Sequence, residues 1–255
     1  RDLEVRNKII FEDEKFKTSE LDFGNEDIRR IVLQLRARIY GEELGWVDPN
    51  KEINGDEFDN ERATHIGVFD RENSNELVGY VRVIVPDENG KGLMLDEGSE
   101  DKGFKSLVLE EENCGWHKKP EQSMEVTRLI FASDNYKDKL ITLKNIYKAL
   151  YQFSQREYRP YWYAVTEPNL YNHLNKSYFP FREIGRHTFP ATEQGAEPCE
   201  TVASVMFLRD AEHEMQNNPK KRIREWFEFI TEGWFDEKIY DEYVKGLDTS
   251  IETTT

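Results

Sequence analysis

The sharpest periodic signal in the chain lies between Asn25 and Tyr40. Ile28, Ile31, Val32, Leu35 and Ile39 recur at the spacing of one helical face, Asn25 is a favourable N-cap, and Glu26 and Asp27 suit the positive first turn. The pattern predicts an amphipathic helix over 26–40. Gly41 and Gly45 stop it, and Trp46 opens an irregular acidic loop running through Asp59. Two β-rich runs, 63–70 and 77–86, flank Arg71-Glu72-Asn73-Ser74-Asn75-Glu76, which contains no apolar residue, and this predicts an antiparallel hairpin. Residues 87–123 are rich in Gly, Glu and Lys and read as a long loop with a short amphipathic piece around Phe104, Leu107 and Val108.

Further on, Val126, Leu129, Ile130 and Phe131 mark a buried strand within Glu125–Ser133, although that strand carries Glu125 and Arg128. Strand side chains alternate faces, so these two charges point to opposite sides unless a bulge or twist intervenes, and each needs its own partner. Leu143, Ile146, Tyr147 and Leu150 predict a helix from about 138 to 156. Tyr161–Val165 follows as a strand, then a short helix near 168–176, Phe179-Pro180-Phe181, and a last strand from Thr201 to Leu208. Residues 1–24 give one possible strand. Beyond Pro219, Ile223, Trp226, Phe227 and Ile230 mark another amphipathic helix, with a shorter one around 235–244.

Strand, helix, strand in the middle of this order is a βαβ-like crossover beside a hairpin, so the fold class is α/β (α+β): one mixed, mostly antiparallel sheet with flanking helices. Residues 1–209 form that domain, and 210–255 read as a helical C-terminal extension ending in a disordered Thr-rich tail.

Composition narrows the function. A net charge of −16 over 255 residues disfavours nucleic acid as a partner and makes any basic patch local. Lys137, Lys139, Lys144 and Lys148, with His117-Lys118-Lys119, are such positions; they read either as a solvated helix face or as a docking patch. Two cysteines, Cys114 and Cys199, give neither a disulfide framework nor zinc spacing, which fits a reducing cytoplasm and no metal. No run of some 18 apolar residues spans a membrane. Arg1 stands where an initiator methionine would, so an upstream segment is compatible with the sequence. The turn Ser133-Asp134-Asn135 places a strand-to-helix junction after the central strand, where backbone N–H groups and lysines can face an anionic ligand.

The spacing Arg36-x3-Tyr40-x5-Trp46, the acidic loop ending Asp56-x2-Asp59, Arg82 on the second hairpin strand, Phe104 in the long loop and Glu125-x2-Arg128 resembles the acyl-homoserine-lactone synthase signature. More of the chain is similar to the N-acyl amino acid synthases and the acyltransferases associated with exosortase systems, over roughly 26–208. The similar stretches include Glu43-Leu44-Gly45-Trp46, Leu77-Val78-Gly79-Tyr80-Val81-Arg82, Tyr147–Gln152 and Trp162–Pro168. This chain departs in having Tyr40 for phenylalanine and Asn54 where the loop's first acid falls, with Glu52 and Glu57 close by. It also lacks the Gly-rich pyrophosphate loop of ordinary acetyl-CoA-using acetyltransferases after the central strand.

The resemblance implies a GNAT-like (acetyltransferase-like) fold and an N-acyltransferase. Its expected donor is the acyl-phosphopantetheine of acyl carrier protein, with acyl-CoA less favoured and no permanently bound cofactor. Its acceptor is a small amine, an amino acid preferred over S-adenosylmethionine. It assigns Glu125 and Arg128 to catalysis; Arg36, Tyr40, Trp46, Asp56, Asp59, Arg82 and Phe104 to the substrate pocket; and Lys137, Lys139 and Lys144 to the donor. The central strand is expected to splay from the Tyr161 strand. A tyrosine acid in the short helix is not carried over, because Leu174 falls there.

Overall fold

The computed structural model describes residues 8–95, 119–133, 135–176, 179–189 and 199–252. Eight strands form one sheet in the order β1-β2-β3-β4-β5-β6-β8-β7. They are β1 (Lys8–Glu12), β2 (Phe16–Leu21), β3 (Ala63–Asp70), β4 (Glu76–Ile84), β5 (Ser123–Phe131), β6 (Tyr161–Thr166), β7 (Arg182–Phe189) and β8 (Cys199–Phe207). Among them stand helices α1 (Glu26–Arg36), α2 (Pro49–Glu52), α3 (Tyr136–Arg156) and α4 (Pro168–Lys176), and the chain goes on into α5 (Leu208–Gln216), α6 (Lys221–Thr231) and α7 (Glu237–Glu252). Every strand pair is antiparallel except β5–β6, which α3 joins as a parallel crossover. The mixed, mostly antiparallel sheet is therefore present.

Several elements differ from the sequence reading. The N-terminal region holds two strands, because Phe16–Leu21 is buried on both faces and shows no alternation. β7 is an edge strand of mostly polar residues and carries no strong signal. α5 puts Leu208, Ala211 and Met215 on one buried face, a helical spacing hidden because Leu208 also reads as the end of the preceding strand. The first helix ends at Arg36 and widens into a π-helical turn over Ala37–Glu43. Gly41 lies so close to Pro49 that an added Cβ would sit 2.7 Å from the proline Cβ, so only glycine fits.

α3 packs on one face of the sheet. Its Leu143, Ile146 and Leu150 meet Val68, Val81, Val83, Met124, Trp162 and Met206 in one apolar cluster. Each large side chain so buried contributes about 1.5–3 kcal/mol. Gly79 permits the approach, since a Cβ there would fall 2.3 Å from Thr142 Cγ2. Ile223, Trp226, Phe227 and Ile230 of α6 belong to the same cluster, with Phe179 stacked on Tyr147 at 4.1 Å and Trp226 edge-on to both. The opposite face carries α1, the π-helical turn and the acidic loop over Leu21, Tyr80 and Ile130, and beside them a second cluster of Phe58, Ile84, Leu93, Tyr163 and Val205.

One feature of the register positions the site. β5 and β6 pair only from Ser123↔Tyr161 to Val126↔Ala164. Beyond that rung, β5 pairs with β4 alone as far as Phe131, and β6 with β8 alone as far as Thr166. The two central strands part company halfway along.

Candidate active site

Glu125 lies one rung before the parting, opposite Ile84 on β4 and Tyr163 on β6. It is fully buried, and its Oε2 accepts a hydrogen bond from the Met94 backbone N–H at 2.7 Å. Strict alternation places Arg128 on the other face, but the β4–β5 ladder slips between Arg82↔Thr127 and Tyr80↔Ile130, and Arg128 has φ +55°. This is a β-bulge with its extra residue in the left-handed region, a conformation an arginine adopts at a cost. The slip turns Arg128 back to the face of Glu125 and Arg82, where its Nη2 lies 3.0 Å from Asp56 Oδ2 and 3.4 Å from Glu52 Oε2.

Arg128 joins a buried cluster of three guanidinium groups and three carboxylates. Arg36, at the end of α1 and completely buried, donates from Nε to Glu52 Oε1 at 2.6 Å, from Nη1 to both Asp59 oxygens at 2.8 Å and from Nη2 to Asp56 at 3.0 Å. Arg82, equally buried on β4, donates from Nη1 to Asp56 at 2.5 Å and Asp59 at 2.7 Å, and from Nε to Thr127 Oγ1 at 3.1 Å. The formal charges cancel. Burial pushes the Asp56 carboxyl up, but the hydrogen bond from Arg82 and the charges of Arg82 and Arg36 outweigh it and hold the group well below the usual carboxylate range. Asp59 is lowered in the same way, by the Arg36 and Arg82 charges acting against burial. Arginines balance these acids, and among the described residues no group of His, Cys, Asp or Glu is arranged to hold a metal ion.

The structure thus brings together Arg36, Asp56, Asp59, Arg82, Glu125 and Arg128. Glu52 takes the third acidic position: it is buried and bonded to Arg36, while Asn54 bonds its side chain to the Asn50 carbonyl. Tyr40 packs at the mouth of the cluster, its hydroxyl donating to the Leu129 carbonyl at 3.0 Å and its ring 5.3 Å from the Arg128 guanidinium carbon. Trp46 stacks on Tyr40 at 5.7 Å with 38% of its surface exposed. Phe104 lies outside the described residues. Lys137 and Lys139 stand exposed on the first turn of α3, whose N-cap is Asn135, beside Tyr136, Leu140 and Ile141, also exposed. Lys144 is turned away, over the Trp226 ring at 5.7 Å, and Lys148 pairs with Glu232 at 2.7 Å. Leu174 is buried in the core.

Sequence reasoning passed over His65 and Tyr80. On adjacent strands, they bond through His65 Nδ1 and the tyrosine hydroxyl at 2.7 Å, and Phe23 stacks on the imidazole at 3.7 Å. Burial pushes His65 down to about 3; the Asp59 charge opposes this, and Arg82 and Arg36 reinforce it. The unfolded chain therefore takes up this proton near pH 6.5 while the folded protein refuses it, so stability falls as pH drops from about 6.5 toward 3. Asp56 and Asp59 add their own loss below about pH 4. Urea midpoints measured from pH 7 to pH 4 are expected to decline in the native protein and to decline less in His65→Gln; equal slopes would show that this imidazole does not supply the dependence.

The mixed, mostly antiparallel sheet with its parallel crossover is of the GNAT (acetyltransferase-like) fold class. The family profile described as "Acetyltransferase (GNAT) domain" matches residues 35–144, which include α1's end, the acidic loop, the hairpin, β5 and the start of α3. Among solved structures, the N-acyl amino acid synthase FeeM from uncultured soil microbes is similar at 13% identity, covering 78% of this chain and 94% of that one with a TM-score of 0.53. The AHL synthase LasI is 16% identical, covering 76% and 89% with a TM-score of 0.52. BjaI, a CoA-dependent acyl-homoserine lactone synthase solved with SAM and isopentyl-CoA, is 17% identical, covering 81% and 83% with a TM-score of 0.52. At these identities the likeness is one of fold. No curated protein matches the chain in sequence. Among the described residues no helix is long and apolar enough to cross a membrane.

Proposed function

We propose that this protein is an N-acyltransferase that moves a fatty acyl group from the phosphopantetheine thioester of an acyl carrier protein to the amine of a small molecule, an amino acid by preference. The observation that carries the reading is the parting of β5 from β6 one rung after Glu125. Strand edges that separate leave backbone N–H groups without ladder partners, which suits a pantetheine arm and the oxygen of a thioester carbonyl. In the reaction the amine nitrogen forms the new C–N bond and the C–S bond breaks. The thiol leaves on the carrier, and Glu125 takes the ammonium proton, directly or through a water. The Arg36, Arg82, Asp56, Asp59 and Glu52 cluster holds the wall against which the acceptor lies, with Tyr40 and Trp46 at its mouth.

A carrier protein, rather than coenzyme A, is supported by the sequence Asp134-Asn135-Tyr136-Lys137-Asp138-Lys139 in place of a Gly-rich pyrophosphate loop, and by exposed lysines on an otherwise acidic chain. Carrier proteins are acidic, and local positive charge steers their docking. Reversing Lys137 and Lys139 to glutamate is expected to raise the KM for an acyl carrier protein about tenfold at low salt; an unchanged KM removes these residues from docking. BjaI, described as CoA-dependent, shows that the fold also accommodates the other donor.

A second reading, synthesis of an acyl-homoserine lactone from S-adenosylmethionine, is favoured by the Arg36, Asp56, Asp59 and Arg82 constellation and by the likeness to LasI. Incubation with both donor types and a panel of amines, followed by product mass, separates the two: an N-acyl amino acid supports the first, an acyl lactone with methylthioadenosine the second. No product with any pair would indicate a binding module of the same shape.

A further inference from the structure

We infer that Leu93-Met94-Leu95 is a latch that closes the acceptor's place in the resting protein and withdraws, about a hinge at Gly92, when the acceptor binds. This rests on the acyl-transfer reading above and adds how access to its base is controlled. General-base catalysis brings the acceptor nitrogen to about 2.6–3.2 Å from the base, or one water away. The Met94 backbone nitrogen already stands 2.7 Å from Glu125 Oε2 and donates its N–H there. In position and in donor role it holds the place that the attacking amine needs. On either side of it, Leu93 and Leu95 are fully buried in the apolar cluster of Phe58, Ile84, Tyr163, Ile184 and Val205. Ile84 and Tyr163 are the rung neighbours of Glu125 on β4 and β6, so the segment lies directly over the base.

The polar contacts that seat the latch are of a kind that an acceptor can replace. Among the described residues, the hydrogen bonds of Met94 run to two side chains of the site, Glu125 and Arg82. Its sulfur accepts from Arg82 Nη2 at 3.3 Å, and a thioether is a weak partner for a completely buried guanidinium. An oxygen of the acceptor, or of a water that follows it in, bonds the same N–H better. Glu125 likewise exchanges a neutral backbone donor for an ammonium, which makes the stronger, charge-assisted bond. The chain is anchored just short of the latch. Asp87 N–H donates to the Lys91 carbonyl at 2.9 Å, Lys91 N–H donates to Asp87 Oδ1 at 2.8 Å, and Arg62 Nη1 donates to the Lys91 carbonyl at 2.9 Å. Gly92 comes next, with φ +85°, and an added Cβ would fall 1.8 Å from Arg62 Nη1. The closed position therefore requires glycine at this joint, and the fixed turn gives way to the latch at the residue whose backbone is freest to swing it.

Amide exchange in the native protein labelled with 15N-methionine tests the latch without turnover, with each common amino acid and S-adenosylmethionine added in turn. Any of these amines that also yields acylated product in the donor assay is expected to shift the Met94 signal and to speed its exchange about tenfold or more, while the buried Met124 and Met206 keep their protection. The variant Gly92→Ala disfavours the closed position, since alanine resists the left-handed backbone and meets Arg62. It is expected to lower the acceptor KM about fivefold, because more of the protein is open to the amine, with kcat and the donor KM unchanged. An amine that is acylated yet leaves Met94 as protected as before overturns the inference, whether or not the variant folds. A folded Gly92→Ala with the native acceptor KM overturns it as well. No acylated product from any amine sinks the acyl-transfer reading itself, and the latch with it, a different result from product formed with Met94 still in place.

Discussion

Glu125→Gln is expected to lower turnover by about 100- to 10,000-fold, the range that a positioned general base supplies, while leaving the protein folded. The amide keeps the volume and retains a carbonyl oxygen for the Met94 N–H that the carboxylate now accepts at 2.7 Å. It cannot take up the proton that the attacking ammonium must lose. The substitution separates chemistry from architecture at a residue with no exposed surface, where a truncation to alanine would also open a cavity. Single-turnover rates with saturating donor and acceptor, beside a urea melt, read the two effects independently. A variant that folds normally and retains native turnover would remove Glu125 from the reaction.

The other large effect is one of stability. Arg36→Leu is expected to cost about 3–5 kcal/mol, because it leaves Glu52, Asp56 and Asp59 facing only two arginines in a largely buried region. Arg36→Lys is also expected to destabilise, since one ammonium cannot reproduce a fork that reaches three carboxylates from three nitrogens. The damage is predicted to concentrate on the acidic loop and the end of α1, which the cluster ties to β4 and β5. Urea denaturation gives the magnitude, and amide exchange over residues 37–59 gives the location. A loss below about 1 kcal/mol would mean the loop is held by its apolar contacts instead.

Much of this arrangement was legible in the sequence. The periodicities around Ile28 to Leu35, the hairpin at 63–86 and the crossover helix around Leu143 to Leu150 each stand in the sheet order as expected, because local pattern and tertiary burial agree there. The gathering of Arg36, Asp56 and Asp59 at one site was implied by the family resemblance, and the bulge was not. Arg128 in a left-handed conformation breaks the alternation rule, and nothing in Glu125–Phe131 marks it: there is no glycine or asparagine at the extra residue. Glu52 was in view as a neighbour of the missing acid at Asn54, but only the short helix α2 turns it onto Arg36. His65 and Met94 were invisible as site neighbours, since their places depend on β3 pairing and on the loop after β4, long-range facts that a linear pattern does not carry. The edge strand β7 escaped because an exposed edge lacks the burial that makes a strand recognisable.

The claim on which the rest depends is that a thioester arm lies between β5 and β6 beyond Val126 and Ala164. A crystal structure with a non-hydrolysable acyl-pantetheine thioether tests it most directly. The arm is expected in that gap, its carbonyl oxygen accepting from backbone N–H groups of β5 and its acyl carbon within reach of an acceptor beside Glu125. An arm bound elsewhere on the protein, with the two strands drawn together over residues 127–131, would contradict it.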